Sequence, residues 1–355
     1  MNKFFKKIVL FGFFFFTSLI IGYDSISRYD YDKLLKIDGA LSDIITYKRI
    51  VENGLNGVEE EKRVAPRLLT PLLSHYVYKF SKDKIGSRSK SWNHAFFSLL
   101  IVNSFFVSMI CLLMGKFHTF LNIREDKEKI LSNNTSQFIF LTSFGVVNIF
   151  LSGLIDSSES FFFLLFIYSF LLKKYYLVTF SIILLAFSKE SSFVYISLFL
   201  FSYFFHQIFI EKKIIIKELF YAIIFFALNI IIINSYILYF LKMNFYQYLF
   251  HFVDTGGAKY YIKNFSDLPR FFIFIIPSLF FVFRGAKFFK KKFITIIFIM
   301  SLTFLIFFLF IFNIDGIAMG RYFFNFIGPI ICLISGLGFN LFFHQNEKNM
   351  NQSSK

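Results

Sequence analysis

Several residue types that mark soluble domains or metal sites are scarce in this 355-residue chain. The two cysteines, Cys111 and Cys332, both lie inside apolar runs, which argues against a disulfide framework or a thiolate metal site. The apolar runs also lack the Gly and Pro interruptions that mark the substrate pathway of many secondary transporters. Only 17% of the residues are charged and 56% are hydrophobic, which excludes an ordinary soluble globular protein.

The chain instead contains long apolar runs that are rich in Phe, of which it has 60 residues. A helix of about 20 apolar residues crosses the roughly 30 Å hydrocarbon core of a bilayer. The pattern therefore predicts an all-α integral membrane protein with about ten transmembrane helices. The predicted spans are 8–23, 92–114, 136–152, 159–172, 175–188, 192–210, 219–241, 270–283, 293–312 and a last run from Arg321 to 343.

The net charge of +16 is distributed in short basic clusters at the ends of these runs. This distribution is typical of cytoplasmic loops in the cell membrane, where Lys and Arg are retained and can contact anionic lipid heads. It leaves no basic stripe with interleaved aromatics, so nucleic acid is not an expected partner. The clusters are Lys3, Lys6 and Lys7; Lys173 and Lys174; Lys212, Lys213 and Lys217; and Arg284 to Lys292.

With these clusters inside, both termini are predicted to be cytoplasmic. Residues 1–23 are expected to form the first transmembrane helix, an uncleaved signal anchor, because no small-residue cleavage site follows the apolar stretch. Residues 24–91 are expected to form an extracytoplasmic loop with amphipathic helices. Residues 92–343 would form the polytopic core, and residues 344–355 a cytoplasmic tail.

The long outer loop contains the first candidate functional residues. Apolar residues recur every three or four positions within 39–54, which predicts an amphipathic helix with Asp43 in its first turn and Gly54 at its end. Arg67 follows on an otherwise apolar segment, where a planar guanidinium suits phosphate binding but also suits simple snorkelling at the interface. His75 lies two helical turns later and is interpreted as a hydrogen-bonded interfacial histidine.

The order of motifs in this loop resembles the start of the GT-C superfamily of polytopic membrane glycosyltransferases. The motifs are Asp43, Tyr47, Asn53-Gly54 and the Arg67-Leu-Leu-Thr-Pro-Leu-Leu segment. Three later segments extend the resemblance over about 40–330: Gly153 to Glu159, Lys189-Glu190, and Gly320-Arg321-Tyr322-Phe323 ahead of Pro329. Members of the superfamily take a sugar from a polyprenyl-phosphate donor on the extracytoplasmic face.

The resemblance assigns roles to individual residues. Asp43 would act as catalytic base or metal-coordinating acid, with Asp38 as the weaker candidate. The donor phosphate would lie against Arg67, Lys189 and Arg321. Asp156, Glu159 and Glu190 would either orient the acceptor, which is a glycan, lipid or protein, or tune these three cations. No cofactor is fixed, and a divalent metal is left open.

These roles fit the chemistry of sugar transfer, which needs a base for the acceptor hydroxyl and cations for the leaving phosphate. Each residue also has a plainer interpretation, such as an interfacial ion pair for Lys189 and Glu190. Two other functions stay open: a polymerase acting on lipid-linked repeat units of a surface polysaccharide, and a transporter or flippase. A transporter would need polar residues along its spans, where the main ones are Asn103, Asn148, Asn229 and Asn234.

Overall fold

A computed structural model describes residues 3–28, 42–58, 67–82, 93–121, 129–244, 247, 262–263, 265–274, 276–287, 289–311 and 315–353. This part of the chain is helical and contains no β-strand. The helices are α1 (Lys3–Arg28), α2 (Ser42–Asn53), α3 (Leu69–Ser81), α4 (His94–Leu121), α5 (Lys129–Leu141), α6 (Asp156–Leu171), α7 (Tyr175–Ser188), α8 (Ser192–Phe205), α9 (Ile216–Leu241), α10 (Leu268–Phe272), α11 (Ile276–Ala286), α12 (Lys291–Ile311) and α13 (Gly316–Ser353).

Six of the described helical segments are long and apolar enough to cross a membrane. They are Phe5–Asp24, His94–Phe120, Ser192–Ile210, Ile216–Leu241, Lys291–Leu309 and Gly316–Asn340. The apolar helix α7 is shorter. The chain is therefore a multi-pass membrane protein whose described part is all-helical, while the larger count of about ten spans stays a prediction.

Two of the predicted spans do not form continuous helices. In the third, α5 ends at Leu141 and a separate π-helical turn covers Val146–Phe150. The hydroxyls of Thr142 and Ser143 donate to carbonyls of the preceding turn, which favours a local break in a helix. In the eighth, α10 and α11 are separate, and Pro277 near the start of α11 explains the interruption because proline lacks the amide hydrogen that continues a helix. The prediction that the apolar runs lack Pro interruptions is therefore wrong for this span.

The described residues divide into two compact units. The first comprises Met1–Ile110, Val146–Ser197 and Ile216–Val253. In it α6 packs on α7, α7 packs on α9, and the two outer-loop helices α2 and α3 pack on each other. The buried face of α2 contains Ile44, Tyr47 and Val51, as the apolar periodicity predicts.

The second unit comprises Cys111–Gly145, Leu198–Ile215 and Asp254–Lys355. Its centre is α13, which packs against α5 and α11. A Cβ on Gly285 would lie 1.9 Å from the Ile334 carbonyl oxygen, and one on Gly338 would lie 2.0 Å from that of Phe281. Glycine is therefore required where the α11 and α13 backbones touch, as in closely packed membrane helices.

Candidate functional site

The two outer-loop helices of the first unit are locked together at His75. Its Nδ1 donates to the Val51 carbonyl at 2.8 Å, so α3 satisfies a carbonyl at the end of α2. Gly54 ends α2 with φ of +64°, and a Cβ there would lie 2.9 Å from His75 Nε2. The histidine is thus a buried structural contact, in agreement with its interpretation from the sequence.

The packing of α2 on α3 brings Asp43 and Arg67 within hydrogen-bonding distance of each other. Arg67 lies two residues before the start of α3, and its side chain is only 2% exposed. Its Nη1 donates to Asp43 Oδ2 at 3.1 Å and to the Tyr47 hydroxyl at 3.2 Å. Asp43 and Tyr47 are four residues apart on α2, so they share one face of that helix.

Glu190, in the turn between α7 and α8, binds the other side of the guanidinium. Arg67 Nε lies 2.8 Å from Oε2 and 3.1 Å from Oε1, and Nη2 also donates to Oε1. Two parallel donors on one carboxylate form the strongest type of arginine ion pair. The outer loop and the turn after α7 are therefore held together by a buried, charge-assisted contact.

The electrostatics of this pair follow from its geometry. Burial by itself would raise the pKa of Glu190, but the Arg67 guanidinium outweighs it and lowers that pKa to about 2. Burial by itself would lower the pKa of Arg67, but the Glu190 carboxylate raises it above its ordinary value. Both groups are charged at neutral pH, and neither is free to exchange protons with a substrate.

Lys189, the neighbour of Glu190, forms a second buried ion cluster. Its Nζ lies 3.0 Å from Asp156 Oδ1 and 3.3 Å from Glu159 Oε2, and all three side chains are fully buried. Ser191 Oγ donates to Glu159 Oε1. Asp156 and Glu159 lie in the first turn of α6, where the helix dipole favours negative charge.

Neutral hydrogen bonds hold this end of α6 in place. Thr70 Oγ1 donates to Ser158 Oγ at 2.8 Å, which ties α3 to α6. Asn103 of α4 donates from Nδ2 to the Leu154 carbonyl at 2.7 Å and accepts from Ser157 Oγ at 2.6 Å. The single amide thus bonds one group of the turn before α6 and one of the first turn of α6, which gives this polar residue of a predicted span a structural role.

Six of the seven predicted site residues therefore form two adjoining ion clusters of the first unit: Asp43, Arg67, Glu190, Lys189, Asp156 and Glu159. Sequence reasoning assigned no role to Tyr47, Thr70, Asn103 or Ser191. Two signals were nevertheless present, the four-residue spacing of Asp43 and Tyr47 and the polarity of Asn103 within an apolar run.

Exposure separates the members of these clusters. The Asp43 side chain is 35% exposed, while that of Arg67 is 2% exposed and that of Glu190 is 7% exposed. A group that reacts with a substrate must be reachable, and among these six only Asp43 combines partial exposure with a fixed orientation. The predicted phosphate ligands Arg67 and Lys189 instead have their charged ends turned to carboxylates.

The seventh predicted residue, Arg321, lies near the start of α13 in the second unit and is partly exposed. This end of α13 is fixed by Asp267, which accepts from the Gly316 amide at 2.6 Å and pairs with Arg270 at 3.1 Å. Asp315 Oδ1 also accepts from the Ala318 amide at the start of the helix. Asp38, the weaker candidate for the base, is outside the described residues.

Within the described ranges, no group of three or more His, Cys, Asp or Glu side chains is placed to hold a metal ion. Comparison with known proteins adds no relative from which a role could be transferred: no family model matches the chain, and neither a curated protein nor a solved structure matches it.

Proposed function

We propose that this protein is an integral membrane glycosyltransferase that moves a sugar from a polyprenyl-phosphate donor to a glycan, lipid or protein acceptor. The observation that carries the proposal is the partly exposed Asp43 carboxylate, held by Arg67, which Glu190 fixes in turn. A reachable carboxylate on a buried, rigid support is the arrangement that a general base requires.

In the proposed reaction Asp43 takes the proton of the acceptor hydroxyl as its oxygen attacks the anomeric carbon of the donor. The bond from that carbon to the phosphate oxygen breaks, and the polyprenyl phosphate leaves with the electron pair. Arg67 is a positioning residue, because its Nη1 fixes one carboxylate oxygen of Asp43.

The developing phosphate charge requires a cation. Lys189 does not meet this requirement, because it is buried between Asp156 and Glu159. In the proposal, Lys189 and its two partners shape the turn that carries Glu190, and the role of Arg321 as a phosphate ligand stays the prediction made from the sequence.

The proposed setting is the extracytoplasmic face of the cell membrane, with about ten spans and both termini in the cytoplasm. Placing the basic clusters inside leaves Asp43, Arg67 and Glu190 outside, where a polyprenyl-linked donor presents its sugar.

A transporter or flippase is the second candidate function, because one buried polar residue fits a substrate path. Asn229, on the apolar helix α9, is fully buried, and neither polar atom of its side chain has a hydrogen-bond partner within the described structure. Unpaired polar groups inside a membrane span are costly and are often functional. The glycosyltransferase proposal is favoured because charged side chains cluster around Asp43 and not along α9.

The test is a mass-spectrometric profile of envelope glycans and polyprenyl-linked lipids in a deletion strain complemented at equal membrane abundance. Wild type should restore one missing sugar, and Asp43→Asn should not. Glu52→Gln is the matched control, because Glu52 lies on the same helix, is 33% exposed and makes only an i,i+4 surface pair with Lys48. Failure of wild type to restore any sugar, or full rescue by Asp43→Asn, would overturn the proposal.

A further inference from the structure

One end of the second unit carries a dense group of exposed cations. Arg284, Lys287, Lys290 and Lys291 lie between the last turn of α11 and the first turn of α12, and all four side chains are exposed. The nearby carboxylate of Glu211 is paired with Lys292 at 3.1 Å. Among the described residues, no ion pair links an acidic side chain to Lys287, Lys290 or Lys291, and all three lysines are exposed.

The ends of α4 and α8 in this unit also contact lysines near the start of α12. Lys290 Nζ lies 4.8 Å from the centre of the Phe120 ring at the end of α4. Lys292 Nζ lies 5.2 Å from the Tyr203 ring near the end of α8. The chain after α8 continues with the exposed Lys212 and Lys213. The cations of the connection after α8 and of the connection between α11 and α12 thus lie at one end of the helices, where a membrane surface would lie.

An apolar stripe leads along α11 to these cations. Ile276, Phe280 and Phe283 are 49%, 82% and 81% exposed, and Lys287 follows four residues after Phe283. Spacings of four and three residues place the three apolar side chains on one face of α11, and Lys287 follows directly after the helix ends at Ala286. The Arg284 guanidinium is held 5.1 Å from the Phe342 ring, next to the end of the stripe. The stripe and its cationic end match the two halves of a lipid molecule.

We propose that this surface is a binding site for an anionic phospholipid. The headgroup phosphate lies among Arg284, Lys287, Lys290 and Lys291, and an acyl chain lies along Phe280 and Phe283. Basic side chains at the membrane surface attract anionic lipids strongly, and a zwitterionic headgroup offers no net charge for them. The charge selects the headgroup, while the stripe provides the apolar contact that any lipid can make. This site is independent of the proposed glycosyltransferase activity.

The test is native mass spectrometry of the purified full chain from nanodiscs that contain equal amounts of dioleoylphosphatidylglycerol and dioleoylphosphatidylcholine. Wild type should retain phosphatidylglycerol in preference. The K287Q/K290Q/K291Q variant should lose that preference on the order of ten-fold, because each lysine contributes to the attraction. F280A/F283A should weaken retention of both lipids and leave the ratio between them less changed.

The matched control is K79Q/K82Q/K242Q, which removes three exposed lysines of the first unit. An equal loss of preference in this control would overturn the proposal in favour of general attraction by net charge. Equal retention of both lipids by wild type would also overturn it. Displacement of bound phosphatidylglycerol by millimolar inorganic phosphate at constant ionic strength would identify a site for a free anion and sink the lipid assignment.

Discussion

Arg67 and Glu190 are 123 residues apart in the chain, yet Nε of the arginine donates to both carboxylate oxygens of the glutamate. The contact joins the segment before α3 to the turn between α7 and α8. The same arginine also donates to Asp43 and so fixes the orientation of that carboxylate. A displacement of Glu190 is therefore expected to move Arg67 and, through it, Asp43.

The first prediction concerns Arg67→Lys, which keeps the positive charge but removes the parallel guanidinium donors, the fork that binds Glu190. A lysine cannot bind Glu190 through two parallel donors and reach Asp43 as well, so we expect destabilisation of about 3 kcal/mol, near the cost of breaking a buried ion pair. Activity should fall further than the loss of folded protein explains, since Asp43 loses its support. Thermal unfolding in detergent and activity per folded molecule measure the two effects.

Arg49→Lys provides the comparison for this change, because Arg49 is exposed on α2. It should alter neither unfolding nor activity by much, as is usual for surface substitutions. If the Arg67 and Arg49 variants behaved alike, the guanidinium fork would have no special role.

The second prediction is a dependence of stability on pH through Glu190. Its pKa is lowered from 4.5 to about 2 in the folded protein, so the ion pair contributes its full stability above pH 4.5. That contribution is lost as the pH falls from 4.5 towards 2, and it amounts to about 3 kcal/mol by linkage. The stability difference between wild type and Glu190→Gln should therefore be constant above pH 5 and shrink below 4.5. A difference that stayed constant down to pH 2 would contradict the lowered pKa.

Local patterns in the sequence predicted part of this site. The apolar spacing in α2 predicted the helix and its buried Tyr47 and Val51. The polar residues Lys189 and Glu190 between two apolar runs predicted the turn between α7 and α8. The Arg67–Glu190 contact could not be predicted, because no periodicity relates residues that pair only through the packing of α3 against α7. For the same reason the sequence proposed phosphate as the partner of Arg67, where the fold provides carboxylates.

The breaks in the predicted third and eighth spans have a different physical origin. Hydropathy reports whether a segment is apolar, and both segments are. Near the end of α5 the Thr142 and Ser143 hydroxyls bond to carbonyls of their own helix, which favours a break there. Such competition between side chain and backbone is local and leaves the average hydropathy unchanged.

The third prediction concerns the buried Lys189 cluster. Lys189→Met should destabilise the protein by about 3 to 5 kcal/mol, because it leaves Asp156 and Glu159 buried without their cation. Adding Glu159→Gln should restore part of that loss, since one unpaired charge is removed. The double-mutant cycle from thermal unfolding measures the coupling, and strictly additive effects would show that the ion pair has no energetic role.

The fourth prediction tests the lock between α2 and α3. Gly54→Ala should destabilise the protein by about 1 to 2 kcal/mol, because alanine is strained at positive φ and its Cβ would lie 2.9 Å from His75 Nε2. Because Asp43 depends on the packing of α2, activity should decrease as well. Gly12→Ala in α1 is the matched control: a Cβ there meets no atom within 4 Å, so the change should be neutral or slightly stabilising. Combining Gly54→Ala with His75→Ala separates the two causes. If the clash dominates, the double variant should be more stable than the sum of the single changes predicts, whereas backbone strain alone would leave the two effects additive.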